Sequence, residues 1–296
     1  MIQVPPAFAA STMAREGEAG EAWLASLPAQ IEELCERWEL EVAGAPMHGY
    51  VAVVVPVTRD GVELALKVSW IDQSSEQEAL VLRVWDGRGA VRLLDAREES
   101  GALLLEWLDP DRSLMDVPIE QAAAIAGELL RRLAITTPTG LRTVAAEMSD
   151  FRDALESGWE RFGRPFSHSL LHRVLEISRL EPRSLRIANQ DLHYENVLAG
   201  TREPWLVIDP KALAGDPEFG VAPLLWTRFE EPGNRAGLER RLRIIAEAAE
   251  LDHELARLWS LARVVDYWIW ALKEGFTEDP LRCRTLARWL APELDV

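Results

Sequence analysis

Two β-branched runs, Tyr50–Val57 and Val62–Val68, flank Thr58-Arg59-Asp60-Gly61. Asp-Gly between such runs selects a tight hairpin turn, because its central positions need a left-handed backbone that Asp tolerates and Gly adopts freely. The chain is thereby committed to antiparallel sheet at this point. Upstream the period is helical: Trp23, Leu24, Leu27, Ile31, Leu34 and Trp38 predict a helix over 17–41. Downstream, a helix is expected over Ser75–Trp85, stopped by Asp86-Gly87-Arg88-Gly89, then strand-like runs at Ala90–Leu94 and Ala102–Trp107. Strand, strand, helix, strand, strand makes a small α+β unit with a mostly antiparallel sheet.

Beyond Asp109-Pro110-Asp111 the pattern turns helical, over Ile119–Ile135, Ser149–Phe162, His168–Leu180, Leu238–Glu250 and His253–Glu274. Two short strands, Arg186–Ala188 and Trp205–Ile208, interrupt it. The expected organisation is an N-terminal sheet lobe over 1–108 and a larger, mainly helical lobe over 109–296, a division that a length of 296 residues accommodates. Hydrophobic residues at 48% and charged residues at 27% supply a core and exclude a disordered or disulfide-stapled chain.

A net charge of −17 argues against duplex nucleic acid or an anionic membrane as partner, since both need a basic face. It suits a cationic ligand. Tyr50–Val57 is far short of a membrane helix, and the aromatic run over Val264–Leu272 is broken by Asp266. Met1–Ala10 lacks the basic start of a secretory signal, so a cytoplasmic location is expected. Cys35 and Cys283, far apart in helical patterns, read as reduced thiols. The histidine pair His168 and His172 lacks the Glu of a metalloprotease helix and reads as solvent-facing.

The chemistry concentrates in Asn189-Gln190-Asp191-Leu192-His193-Tyr194-Glu195-Asn196 and in Trp205-Leu206-Val207-Ile208-Asp209-Pro210-Lys211. Asp, four residues, then Asn is the spacing of a phosphoryl-transfer loop, in which the Asp takes a hydroxyl proton and the Asn oxygen ligates Mg²⁺. Asp209, ending the next hydrophobic strand, is placed to hold Mg²⁺ through a hard oxygen. Lys67, near the end of the second hairpin strand, suits the α/β-phosphates of ATP, with Glu78 on the following helix as its ion-pair partner. Lys211 is open to a phosphate contact or a surface position, and His193 to packing or positioning within the loop.

These stretches, together with Glu78–Asp95, Gly101–Leu108 and Ile208–Leu225, resemble the aminoglycoside phosphotransferase family, in particular its streptomycin 6-kinase/hydroxyurea kinase branch. The resemblance spans about two thirds of the chain. It implies a protein-kinase-like two-lobe fold and ATP-dependent transfer to a hydroxyl, with ATP and Mg²⁺ as cofactors. It makes Asp191 the catalytic base, Asn196 and Asp209 the Mg²⁺ ligands, Lys67 and Glu78 the phosphate-orienting pair, and Glu106, Trp107 and Leu108 the hinge that receives adenine.

The implied acceptor is an aminocyclitol antibiotic such as streptomycin, inactivated by phosphorylation. Alternatives are an amino sugar, amino alcohol or hydroxyurea-like metabolite, or a pseudokinase role; the joint presence of the five polar residues opposes the last. Candidate acceptor residues are His193, Glu230, Glu231, Asp266, Trp268 and Glu274, with Trp107, Trp226 and Trp270 as further aromatic walls. Asn189-Gln190 stands where the family usually has His-Gly, and an Asn can brace the loop through its amide. Gly220-Val221-Ala222 lacks the family's usual Asp, and Gly44-Ala45-Pro46-Met47-His48-Gly49 is a glycine-poor counterpart of a phosphate-covering loop.

Overall fold

The computed structural model describes residues 2–71, 77–231 and 233–294. The chain divides into two compact units, Met1–Asp109 and Pro110–Val296.

The first unit is built on the predicted hairpin. Strands β3 (Ala52–Arg59) and β4 (Val62–Ser69) pair antiparallel from Ala52↔Ser69 to Arg59↔Val62. Asp60 and Gly61 close the turn at φ 54° and 77°, the left-handed pair that Asp-Gly predicts. The sheet continues through β6 (Ala102–Glu106) and β5 (Leu93–Arg97) on one side, and through β1 (Glu41–Val42) and β2 (Met47–His48) on β3. β5 lies three residues later than the sequence pattern suggests. Arg92 N–H is taken by the Glu106 carboxylate at 2.7 Å, and the register shifts between Leu93 and Asp95, so pairing starts late.

Helix α1 (Pro6–Arg37) packs on this sheet, with a kink at Gly17 where the backbone turns left-handed. The expected 17–41 helix is its second segment; Pro6–Glu16 extends it forward. Phe8, Leu27, Ile31 and Leu34 are fully buried against Val53, Val55, Leu66 and Leu104. Each such burial contributes about 1.5–3 kcal/mol, enough to hold a helix that contains Pro28. The same helix reaches the glycine-poor loop: Arg15 donates to Tyr50 O at 3.1 Å, and the Phe8 and His48 rings lie 5.6 Å apart. Helix α2 (Glu78–Trp85) follows, ending as predicted at Asp86 in the left-handed region. The expected start at Ser75 lies outside the described residues.

At the boundary between the units lies β7 (Asp109–Ser113), which the sequence gives no reason to expect because it contains Pro110. It is the edge of a three-stranded sheet with β9 (Val197–Ala199) and β10 (Trp205–Val207), an edge being where Pro is tolerated. A second small sheet pairs β8 (Arg186–Asn189) with β11 (Ala212–Gly215). Around these pairs stand α3 (Ile119–Leu133), α4 (Val144–Arg161), α5 (His168–Ile177), α6 (Ala222–Trp226), α7 (Arg235–Ala249), α8 (His253–Lys273) and α9 (Asp279–Leu290). Helix α4 starts at Val144, five residues before the expected Ser149, capped by the Thr143 hydroxyl, which accepts from Ala146 N at 3.0 Å. No helix among the described residues is long and apolar enough to cross a membrane.

Candidate active site

In the first unit, β4 carries Lys67 and α2 carries Glu78. Lys67 Nζ lies 2.7 and 2.6 Å from the two Glu78 oxygens, with both residues at 5% exposure or less. Burying an ion pair costs desolvation that its attraction barely offsets, so such a pair is weak evidence of stabilisation and suits an anion-binding role. At the end of β6, Glu106 N–H is already donated to Arg92 O at 3.0 Å. Trp107 is half-buried and Leu108 buried.

In the second unit, the loop after β8 is pinned from inside. Leu192 and Tyr194 are fully buried, and Tyr194 Oη donates to Leu224 O at 3.1 Å. Burial raises the Tyr194 phenol to about 12, so it stays a neutral donor. Asp191 and His193 alternate with these anchors and remain partly exposed, at 27% and 21%. Asn196 Nδ2 donates to Asp191 O at 3.0 Å, and its main-chain carbonyl accepts from Ile208 N at 2.9 Å. The two loops are thus tied together, and Asp209 follows at φ 49°, a left-handed non-glycine that costs about 1 kcal/mol and marks a constrained position.

Asn189, standing in the His position of the family pattern, braces both loops. Its Oδ1 accepts from Asp191 N and from Lys211 N, each at 3.2 Å. Gln190 N donates to Lys211 O at 2.8 Å, and Lys211 Nζ meets Asp191 Oδ2 at 2.8 Å. Gly220 packs so close that a Cβ there would lie 2.4 Å from Asn189 O. That contact is a reason for glycine at 220, where the sequence shows only a missing Asp. Asp216, 2% exposed, accepts from Arg183 N at 2.8 Å and Ser184 N at 3.0 Å and so holds a loop in place.

Asn196 and Asp209 offer an amide oxygen and a carboxylate, the hard donors of a Mg²⁺ site. Among the described residues no group of three or more His, Cys, Asp or Glu converges as a metal cage. A pair of oxygen donors fits Mg²⁺, which is held by one or two side chains together with substrate phosphates.

The acceptor candidates do not form one group. Glu230 pairs with Arg282 at 3.0 Å. Glu231 pairs with Arg228 at 2.5 and 2.7 Å, which holds its carboxyl below the usual range, and Arg228 also donates to Leu114 O and Val117 O. Glu274 is exposed at the C-terminal cap of α8. Trp268 is corrected to a core residue: it is 3% exposed and packs on Phe166 at 5.2 Å. Asp266 differs from these. It lies on the half-buried α8 stripe Arg263, Asp266, Tyr267, Trp270, whose spacing puts all four on one helix face. Arg263 donates to Gln190, beside Asp191, so this stripe starts at the Asp191–Asn196 loop. Trp226, Tyr267 and Trp270 stack along it at 5.0 and 5.5 Å. Desolvation raises the Asp266 carboxyl to about 6 against the pull of Arg263, while 37% of the side chain still meets solvent.

The sequence suggests that Asn189 braces its own loop, but Arg263, Tyr194 and the reach of Asn189 to Lys211 have no signal there, since those partners lie between 22 and 73 residues away and only folding joins them.

Residues 37–275 match the family model described as aminoglycoside/hydroxyurea antibiotic resistance kinase. The chain is 39% identical to a streptomycin 6-kinase of Streptomyces griseus over 287 residues, covering 93% of each protein. It is 38% identical to a hydroxyurea phosphotransferase of Kitasatospora aureofaciens, covering 95% of this chain and 84% of that one. Among solved structures, a thermostable variant of aminoglycoside phosphotransferase APH(4)-Ia, in complex with ADP and hygromycin B, superposes with a TM-score of 0.64 at 16% identity. That match covers 87% of this chain and 97% of the other, and shows the fold. A streptococcal choline kinase, LicA, superposes at 0.60 with 14% identity, covering 90% and 99%. The chain has the protein-kinase-like fold and belongs to the aminoglycoside/hydroxyurea antibiotic resistance kinase family.

Proposed function

We propose that this kinase transfers the γ-phosphoryl group of ATP to a hydroxyl of a cationic aminocyclitol antibiotic of the streptomycin type, inactivating it. The observation that carries the reading is the bracing of Asp191 and Asn196 on one loop, whose backbone is bonded to the strand leading into Asp209. Such rigidity is what positioning catalysis needs.

Asp191 orients the acceptor hydroxyl and accepts its proton. Asn196 and Asp209 are the residues that would hold Mg²⁺, which when bound neutralises phosphate charge. Lys67, held by Glu78, binds the α/β-phosphates. Adenine recognition falls to the backbone of Glu106, Trp107 and Leu108, with the Glu106 N–H itself already committed to Arg92 O. For the acceptor, the stacked Trp226, Tyr267 and Trp270 beside Asp266 supply aromatic faces and a carboxylate, which suit a ring bearing guanidino or amino groups. The net charge of −17 draws such a cation in.

Hydroxyurea is the second reading, favoured by the 38% identical relative of that name. The test is coupled ADP release by the purified protein with Mg·ATP and a panel containing streptomycin, other aminoglycosides, amino sugars and hydroxyurea. Streptomycin should give the highest kcat/KM, and expression should protect a sensitive host. Asp191→Ala should keep nucleotide binding and lose nearly all transfer. Retained turnover in that variant overturns the assignment of the base, and preference for hydroxyurea overturns the assignment of the acceptor.

A further inference from the structure

We infer that Lys211 is a positioning residue of the transfer step: it holds the Asp191 carboxylate in place and brings a fixed positive charge next to the phosphoryl group in flight. This rests on the reading of Asp191 as the base.

The catalytic loop itself, Asp191-Leu192-His193-Tyr194-Glu195-Asn196, contains no Lys or Arg. The cation at the base comes instead from the neighbouring loop, with Lys211 Nζ 2.8 Å from Asp191 Oδ2. Its root is fixed on both sides of the peptide. Lys211 N donates to Asn189 Oδ1 and Lys211 O accepts from Gln190 N. Because Asn189 Oδ1 also accepts from Asp191 N, a single amide oxygen sets the backbone of base and lysine together.

A hydroxyl that gives its proton to Asp191 must lie within hydrogen-bond reach of the carboxylate, which brings its oxygen to within roughly 8 Å of Lys211 Nζ. In a loose transition state the nucleophile needs little activation, and the charge on the phosphoryl oxygens is what must be stabilised. The acceptor oxygen forms its bond to the γ-phosphorus while the bond to the β,γ-bridging oxygen breaks. ADP leaves with that electron pair, and the hydroxyl proton goes to Asp191. As the proton arrives, the Asp191–Lys211 pair passes from neutral to singly positive, beside the phosphate ester just formed.

The test compares K211M, K211R and D191N with the wild type. It measures transfer from Mg·ATP to streptomycin or hydroxyurea, whichever the wild type uses, and hydrolysis of ATP by water if it uses neither. Equilibrium binding of ADP, with and without aluminium fluoride as the planar phosphoryl mimic, and thermal unfolding are measured alongside. In K211M, kcat should fall about 100-fold, as for loss of one preorganised electrostatic contact. KM for both substrates and the affinity for ADP alone should stay within about threefold. The extra affinity given by aluminium fluoride should be lost, and K211R should restore most of it.

Turnover within about threefold of wild type in K211M overturns the inference, as does a loss of activity matched by loss of ADP binding and of thermal stability. D191N separates the two readings. If D191N still transfers phosphate, the assignment of the base has failed; if D191N is inactive while K211M is active, only the role of Lys211 has failed.

Discussion

Arg263 of α8 donates to Gln190 twice, through Nη1 to the side-chain oxygen and through Nη2 to the main-chain carbonyl, each at 3.2 Å. The guanidinium also lies 5.0 Å from the Phe219 ring and 5.8 Å from Trp226. Gln190 therefore has a function that the usual glycine cannot have, since its side chain takes one arm of the fork. A planar, two-armed donor is required, and lysine cannot replace it. R263K is expected to lower kcat by about 100-fold, the scale of an ångström-level displacement of a reacting group. KM for ATP should change little; steady-state kinetics with both substrates varied checks this.

Lys67 and Glu78 predict a separation of stability from function. Removing one partner of a buried pair strands the other, so E78Q or K67M should each cost about 3–5 kcal/mol of folding stability. The double variant K67M/E78L leaves no buried charge and should recover much of that loss. It should not recover ATP affinity. Urea unfolding and nucleotide titration on the same preparations measure the two effects.

Gly220→Ala places a methyl group 2.4 Å from Asn189 O, which is main chain and cannot swing aside. Relief requires moving either the turn before α6 or the backbone that leads into the Asp191 loop. The expected loss is about 1–3 kcal/mol of stability, typical of overpacking, with activity falling further than stability because Asn189 sets Asp191 and Lys211. Comparable activity and melting temperature in the wild type and this variant would count against the packing described.

Asp266 gives a pH-dependent term with a definite sign. Burial raises its carboxyl from 3.8 to about 6, so the folded protein binds this proton more tightly than the unfolded chain. The contribution favours folding fully below the unfolded value and is lost as pH rises through about 6. Asp266→Asn removes it. Stability measured by urea unfolding from pH 4 to pH 7 should then fall less with rising pH than in the wild type; identical slopes would sink the assignment.

Much of this protein is legible from local sequence, where local chemistry decides. Asp60-Gly61 specifies its own turn, the apolar spacing of Leu27, Ile31 and Leu34 specifies a buried helix face, and the spacing of Asp191, Asn196 and Asp209 suggests the chemistry proposed for them. The short strands β9 and β11 were not legible, because three or four residues become a strand only when β10 and β8 lie alongside to take their hydrogen bonds. Nor was β7, whose Pro110 reads as a turn until an edge position accommodates it. Trp268 and Trp270, two residues apart on one helix, could not be told apart by type; packing against Phe166 buries the first, and stacking on Tyr267 leaves the second half-exposed. The sequence by itself determined the hairpin and most of the long helices, and it singled out Asp191, Asn196 and Asp209 as the residues proposed for phosphoryl transfer, since each rests on neighbours within a few positions. Only the tertiary structure decided that Arg263 holds Gln190, that Asn189 joins Asp191 to Lys211, and that Glu230 and Glu231 are spoken for by arginines. Those contacts rest on hydrogen bonds of about 3 Å reach, which residues distant in sequence meet only when the core between them has packed.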